Sequence, residues 1–148
     1  SKLGTKFFLK RKFKTWITPH IQEFKRLFPD IKSNNKVELA INASRKFNIS
    51  ILLKGANSII ADDKVAWQLF GTDQATARAG LGDLLSGFVA GSSAMDFTGC
   101  KNITTEFFAI YALLHSFAAS KSKRGSNAAD IGDELSKLIR KIKMRQIS

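Results

Sequence analysis

Apolar side chains recur every three or four residues along much of the chain. Within residues 36–47, for example, Val37, Ala40 and Ile41 fall on one helical face together with Ser44, as in a helix that packs on a core. The same spacing predicts helices over residues 21–28, 84–94, 104–121 and 129–143. Pro19 stands just before the first of these segments, where its fixed backbone angle suits a helix start.

Shorter apolar runs without helical spacing predict strands. These runs cover residues 13–18, 49–53, 58–61 and 64–70. Gly55 provides a turn between the second and third runs, and Asp62 with Asp63 provides a turn between the third and fourth. The predicted order is a strand and helices, then a small meander of strands, then further helices. This order predicts an α/β sandwich.

The composition fits one globular domain. The chain has 148 residues, and its 44% hydrophobic and 24% charged residues exclude a disordered tail. Its single cysteine, Cys100, excludes an intrachain disulfide and a cysteine-based zinc site. No apolar run approaches the roughly 20 residues of a membrane-spanning helix. We therefore expect a single domain over residues 1–148, located in the cytoplasm and without a membrane partner.

The net charge of +12 would draw the protein to anions. Positive charge is concentrated at the two ends of the chain. The first group consists of Lys2, Lys6, Lys10, Arg11, Lys12 and Lys14, and the second includes Arg140, Lys141, Lys143 and Arg145. These residues do not alternate with aromatic side chains along one face, as a stacking platform for nucleic acid requires. We therefore expect solvated or partner-binding ends and no nucleic-acid partner.

Two glycines just before a helical segment give the strongest local signal for chemistry. Gly80 and Gly82 allow backbone N–H groups at the helix start to turn toward an anion, where the helix dipole adds attraction. A phosphate would fit this position. Asp83 has two interpretations: a cap for the first N–H groups of the helix, which the local sequence alone favours, or a base directed at the bound anion.

Two weaker candidates lie earlier in the chain. Residues 54–58 form a glycine turn between two apolar strands, where a lysine and short polar side chains either meet a ligand or simply face solvent. His20 follows the turn at Pro19, at the edge of a strand. A lone histidine at such a position is more often structural than catalytic.

Three ordered segments resemble the motifs of one enzyme family. Residues 18–27 resemble T-P-H-x-x-E-F/M-x-R-L, residues 53–61 resemble L-K-G-x-x-T/S-I/V-I-A, and residues 77–87 resemble A-x-G-G-x-G-D-V/L-L-x/S-G. Residues 111–115 and 128–131 resemble two later helical segments of the same family. The chain thus resembles the ADP- or ATP-dependent NAD(P)H-hydrate dehydratases, which are relatives of ribokinase. This resemblance implies a ribokinase-like three-layer α/β/α sandwich, of which the chain holds the C-terminal portion.

The resemblance also implies an activity. Members of the family return hydrated NADH or NADPH to NAD(P)H. They phosphorylate the hydroxyl of the hydrate with ADP or ATP and then expel it as phosphate. Asp83 would be the base that takes the hydroxyl proton, and Asp83 and His20 would contact the hydrated cofactor. Gly80 and Gly82 would form the anion hole. The nucleotide would be bound by Lys54, Gly55, Ala56, Asn57, Ser58 and Gly82. From the chemistry of its phosphates alone we also expect Mg²⁺, for which the sequence offers no dedicated group of ligands.

The same resemblance implies that the catalytic domain is longer than this chain. Its N-terminal half would come from a longer chain or from a separate polypeptide, and we expect a homo-oligomer. Two alternatives stay open. One is a remnant that binds nucleotide, or nothing, without catalysis, which fits the replacement of a loop glycine by Ala79. The other is a ribokinase-like kinase for a small alcohol of the hydroxymethylpyrimidine or hydroxyethylthiazole type.

Overall fold

The computed structural model describes residues 5–70, 80–95, 104–122 and 125–145, with side chains as far as residue 142. The chain divides into two compact units, residues 1–71 and 72–148. The first unit contains α1 (Lys6–Leu9), β1 (Trp16–Ile17), α2 (Ile21–Leu27), α3 (Lys36–Phe47), β2 (Ser50–Leu53), β3 (Ser58–Ala61) and β4 (Ala66–Leu69). The second contains α4 (Leu81–Ala94), α5 (Thr105–Lys121) and α6 (Ala128–Arg145).

The four strands of the first unit form one mixed sheet in the order β1-β2-β3-β4. β1 runs parallel to β2, with Ile17 opposite Ile51, while β2, β3 and β4 are joined as an antiparallel meander. A parallel pair needs a crossover, and α2 and α3 supply it between β1 and β2. The predicted meander is therefore confirmed, although β1 is shorter than the predicted strand over residues 13–18.

Phenylalanine side chains from three helices build the core of the first unit. Phe28 lies at the centre, with its ring centroid 5.0 Å from those of Phe24 and Phe47. Phe8 of α1 packs on the same cluster, 6.0 Å from Phe28. Buried Ile51 of β2 belongs to the same core. The sequence pattern did not predict α1, because these four residues show no helical periodicity. Their helix forms where Phe8 packs on the core.

The ends of α3 match the predicted helix over residues 36–47, and local chemistry explains both. At its start, the side-chain oxygen of Asn35 accepts a hydrogen bond of 2.8 Å from the backbone N–H of Val37. At its end, Asn48 adopts a left-handed conformation with φ 51° and stops the helix. Asparagine is one of the few residues that tolerates this conformation.

Small side chains let the helices of the second unit approach closely. Ala118 and Ala119 of α5 pack on Ile131 and Leu135 of α6 to form a buried cluster, which Leu81 at the start of α4 also joins. Among the described residues, no helix combines the length and the hydrophobicity that crossing a membrane requires. The helices predicted over residues 84–94, 104–121 and 129–143 are all present, although α4 begins three residues before the predicted start.

Candidate functional site

His20 caps helix α2. Its Nδ1 accepts hydrogen bonds from the backbone N–H groups of Gln22, at 3.1 Å, and Glu23, at 3.2 Å. In return, the backbone N–H of His20 donates to Oε2 of Glu23 at 2.7 Å, which completes a capping box. Because Nδ1 is an acceptor, the neutral ring carries its proton on Nε2. His20 therefore has a structural role as the cap of α2. Its side chain is exposed, and Nε2 faces the carboxylate of Glu23.

The Glu23 carboxylate also connects this cap to the second motif. Its Oε2 lies 3.9 Å from Nζ of Lys54, and its Oε1 lies 3.5 Å from Nε2 of His20. The hydrogen bond from the His20 backbone lowers the pKa of Glu23 most, burial partly opposes it, and the positive charge of Lys54 lowers it further. Glu23 is thus an anion at neutral pH that holds His20 and Lys54 on one side of the first unit.

The loop after Lys54 forms a closed turn. The backbone N–H of Lys54 donates to the carbonyl of Pro19 at 2.9 Å, which continues the pairing of β1 with β2. Ser58 closes the turn, since its hydroxyl donates to the carbonyl of Gly55 at 3.1 Å. Ala56 and Asn57 at the tip are exposed. The structure therefore confirms the predicted glycine turn between two strands.

Lys36 brings a second positive charge to this turn. Its Nζ lies 3.7 Å from the position that a Cβ on Gly55 would occupy. Lys36 was not among the predicted site residues, because its only local role is that of first residue of α3. Only the folded structure brings Lys36 close to Gly55. The Gly55 turn is therefore flanked by two lysines, Lys36 and Lys54.

The second unit holds the other predicted residues at the start of α4. Gly80 precedes the helix with φ 81°, a left-handed conformation that favours glycine. A Cβ at this position would also lie 3.4 Å from the Cβ of Ala128. No side chain caps α4 among the described residues, so its first N–H groups remain available to an anion. Residues 77–79 of the third motif lie outside the described residues.

The cap interpretation of Asp83 is wrong. Gly80 occupies the N-cap position, which makes Asp83 the third residue of α4, and its side chain is exposed. Asp130, the third residue of α6, shows what a capping aspartate does: its carboxylate accepts a 2.7 Å hydrogen bond from the backbone N–H of Asn127. Within the described part of the chain, Asp83 makes no comparable bond. Among the described residues, its carboxylate therefore does not cap the start of α4.

A buried histidine from α5 lies behind this turn. His115 is only 8% exposed, and burial, the larger effect, lowers its pKa, while a hydrogen bond to the backbone of Leu81 raises it. Its Nε2 has no hydrogen-bond partner in the part of the chain that the structure describes. His115 was not among the predicted site residues, because nothing in the local sequence shows that it reaches the glycine turn.

Comparison with known proteins identifies the family. The family model of the NAD(P)H-hydrate dehydratases matches residues 3–143. This chain belongs to that family. The ADP-dependent (S)-NAD(P)H-hydrate dehydratase of Nitrosopumilus maritimus is 40% identical over 78 residues, which make up 51% of this chain and 27% of that protein.

Solved structures confirm the predicted ribokinase-like α/β fold. A ribokinase-like superfamily protein from Enterococcus faecalis matches with a TM-score of 0.74 at 22% identity, over 95% of this chain and 49% of its own. An ADP/ATP-dependent NAD(P)H-hydrate dehydratase from Bacillus subtilis, co-crystallised with ATP and Mg²⁺, matches with a TM-score of 0.67 at 22% identity. The match covers 89% of this chain and 49% of that protein. This member of the dehydratase family thus spans about half the length of its solved neighbours.

Proposed function

We propose that this chain is the C-terminal part of an NAD(P)H-hydrate dehydratase domain and takes part in returning hydrated NADH or NADPH to NAD(P)H. Membership of the family supports the proposal. The structural observation that carries it is the start of α4, where left-handed Gly80 precedes a helix without a side-chain cap and Asp83 is exposed in its first turn.

This arrangement suits phosphoryl transfer. Backbone N–H groups at Gly80 and Gly82 hold the transferred phosphoryl group and offset its charge. Asp83 takes the proton from the hydroxyl of the hydrate, whose oxygen attacks the terminal phosphorus of the nucleotide. The carbon–oxygen bond of the resulting phosphate ester then breaks and inorganic phosphate leaves. The neighbouring ring carbon loses a proton to solvent, and the electron pair of that C–H bond restores the double bond of the reduced nicotinamide ring.

The first unit supplies binding residues in the proposal. Lys54, Gly55, Ala56, Asn57 and Ser58 bind the nucleotide, for which Lys54 provides the positive charge and Gly55 the close approach of the backbone. His20 contacts the hydrated cofactor through its exposed Nε2–H. Glu23 keeps the His20 ring oriented, because the capping box fixes Nδ1 as the acceptor.

The nucleotide in the proposal is ADP or ATP. Among the described residues, no group of three or more His, Cys, Asp or Glu side chains could hold a metal ion. In the proposal, Mg²⁺ would be held by the nucleotide phosphates.

We also propose that residues 1–148 form one incomplete domain, which functions in the cytoplasm with its N-terminal half supplied by a longer chain or a separate polypeptide. The solved neighbours support this, since about half of each one has no counterpart here. Assembly with further copies of the chain is part of the same proposal, and analytical ultracentrifugation of the purified chain tests it.

The experiment that tests the function is recovery of reduced-nicotinamide absorbance from purified NADH hydrate, with ADP or ATP and Mg²⁺. The proposal predicts recovery that requires nucleotide and releases one phosphate per NADH formed. Nucleotide binding without recovery, once the N-terminal half has been supplied, would indicate the non-catalytic remnant. Phosphorylation of hydroxymethylpyrimidine or hydroxyethylthiazole, without recovery, would indicate the small-alcohol kinase.

A further inference from the structure

Helix α5 exposes a stripe of large apolar side chains. Ile110, Leu113 and Phe117 are 47%, 55% and 47% exposed, and their spacing of three and four residues places them on one face of the helix. We call these three residues the α5 stripe. The opposite face of α5 is buried within the second unit, where Ala119 packs in one cluster with Ile131 of α6. The α5 stripe is therefore a second apolar face on a helix that is already packed.

Charged side chains are absent from the middle of α5. Between Glu106 and Lys121 the sequence contains no Asp, Glu, Lys or Arg. At one end of the stripe, Nζ of Lys121 lies 5.3 Å from the ring centroid of Phe117, an attraction that does not extend to the aliphatic side chains. A helix that is apolar on all sides is normally buried inside a domain. The α5 stripe thus has the composition of an interior surface.

Helix α6 of the same unit shows how this chain builds a helix that faces solvent. Its buried face includes Ile131 and Leu135, while its exposed positions carry Asp133, Lys137 and Arg140. This division into an apolar and a charged face is the usual pattern for a helix at a protein surface. Helix α5 packs on α6 but lacks such a charged face, so the stripe is a property of α5 and not of the whole unit.

The exposed face of α4 also lacks charge beyond its first turn. Its exposed residues after Asp83 are all small, namely Ser86, Gly87, Ala90, Gly91 and Ala94. A Cβ at Gly87 or Gly91 would meet nothing within 4 Å, so packing among the described residues does not require glycine at either position. Small side chains allow another backbone to approach closely. Two helices of this unit therefore present faces of the kind found inside a domain.

The solved neighbours indicate what covers the α5 stripe. About half of each neighbour has no counterpart in this chain, and the layers of such an α/β sandwich enclose one core. An apolar face that is exposed in one half of the domain is then covered by the other half. A second copy of this chain would instead bring its own net charge of +12 to the contact, and the stripe has no carboxylate to offset that charge.

We propose that the α5 stripe is the surface on which the N-terminal half of the catalytic domain docks. The proposal rests on the proposed function for the existence of that half. The contact consists of apolar packing on Ile110, Leu113 and Phe117, and it requires neither nucleotide nor hydrate.

Two lysine substitutions distinguish the α5 stripe from an ordinary surface. Leu113→Lys places a charge in the middle of the stripe, and Ser136→Lys places the same charge at an exposed position of α6. The probe is the N-terminal half of the Nitrosopumilus maritimus dehydratase, prepared as a separate polypeptide that rebinds the C-terminal half of its own chain. Isothermal titration of the probe into the full chain measures the affinity. Urea unfolding and sedimentation of the full chain alone measure its stability and oligomeric state.

We expect the wild type and Ser136→Lys to bind the probe with equal affinity. Leu113→Lys should bind about tenfold more weakly or worse, because the contact would bury a charge without a partner. Without the probe, both variants should keep the wild-type urea midpoint, because both positions are exposed.

Three results would overturn the proposal. The first is a probe that does not bind the wild type or binds both variants equally. The second is a fall in the urea midpoint of the chain alone for Leu113→Lys and not for Ser136→Lys, which would mean that the stripe is packed within this unit. The third is a dimer of the chain that only Leu113→Lys dissociates, since a second copy would then cover the stripe.

Failure of the proposed function gives a different result. A mixture of chain and probe that associates but recovers no NADH contradicts the function and leaves the docking surface supported. Recovery of NADH in a mixture where Leu113→Lys binds the probe as tightly as the wild type contradicts the docking surface and leaves the function supported.

Discussion

The carboxylate of Glu23 lies 3.9 Å from the ammonium of Lys54 and accepts a 2.7 Å hydrogen bond from the backbone of His20. One side chain therefore connects the first family motif, which follows β1, to Lys54 of the second, which directly follows β2. The pKa of Glu23 is lowered chiefly by the hydrogen bond from His20, so the connection persists at neutral pH.

Removing the Glu23 side chain should weaken the start of α2. Glu23→Ala loses the acceptor for the His20 N–H, and we expect the free energy of unfolding to fall by about 1 kcal/mol. Glu23→Gln keeps an acceptor and removes only the charge, so its free energy of unfolding should fall by a fraction of that amount. Urea unfolding at neutral pH compares the two. Equal losses would mean that the charge, rather than the hydrogen bond, stabilises the cap.

Gly80 should not tolerate a side chain, because its φ of 81° is strained for any L residue with a Cβ. We expect Gly80→Ala to lower the free energy of unfolding by about 1–2 kcal/mol. Gly87→Ala is the matched control within the same helix, since a Cβ there meets nothing within 4 Å, and it should stabilise the protein by about 0.4–1 kcal/mol. Thermal and urea unfolding measure both. Similar effects in the two variants would contradict the left-handed cap.

The buried ring of His115 should make the protein sensitive to acid. Burial lowers its folded-state pKa below the ordinary value of about 6.5, so at intermediate pH the unfolded chain binds a proton that the folded chain excludes. Stability should therefore fall as the pH drops below about 6.5 and continue to fall until it reaches the folded-state pKa. Urea midpoints between pH 7 and 5 should show this slope in the wild type, and a reduced slope in His115→Leu. Equal slopes in the wild type and His115→Leu would contradict the assignment of this acid sensitivity to His115.

Lys36 should contribute to nucleotide binding, because its ammonium flanks the Gly55 turn. We expect Lys36→Met to weaken the affinity for ADP several-fold and to reduce the salt dependence of binding. Lys32→Met removes an equal charge from an exposed residue that precedes α3, and it should change the affinity little. Isothermal titration compares the variants at two salt concentrations. Equal weakening by both substitutions would mean that only net charge matters.

Much of the fold follows from residue spacing. The bounds predicted for α3 from its apolar face agree with the structure, in which Asn35 and Asn48 cap its two ends. The start of α4 was placed too late, since a glycine N-cap followed by Leu81 carries no such mark. Helix α1 was missed because Phe8 is held by rings that come much later in the chain.

The candidate site was predictable where motifs are contiguous and not where it depends on contacts through space. The glycine turn at Gly55 and the glycines before α4 follow directly from the sequence. The approach of Lys36 to Gly55 and the bond of His115 to Leu81 join residues far apart in the chain, so no local pattern reveals them. The position of Gly80 removes the cap interpretation of Asp83, while the role of Asp83 as a base stays a prediction.

The measurement that tests the central claim most directly compares Asp83→Asn with Asp130→Asn in the recovery of NADH from its hydrate. Both aspartates are the third residue of a helix in the same unit, so each substitution removes the same charge from the same helical position. We predict that Asp83→Asn abolishes nucleotide-dependent recovery with folding retained, whereas Asp130→Asn keeps recovery and loses some stability with its cap. Near wild-type recovery in Asp83→Asn would contradict the assignment of Asp83 as the base.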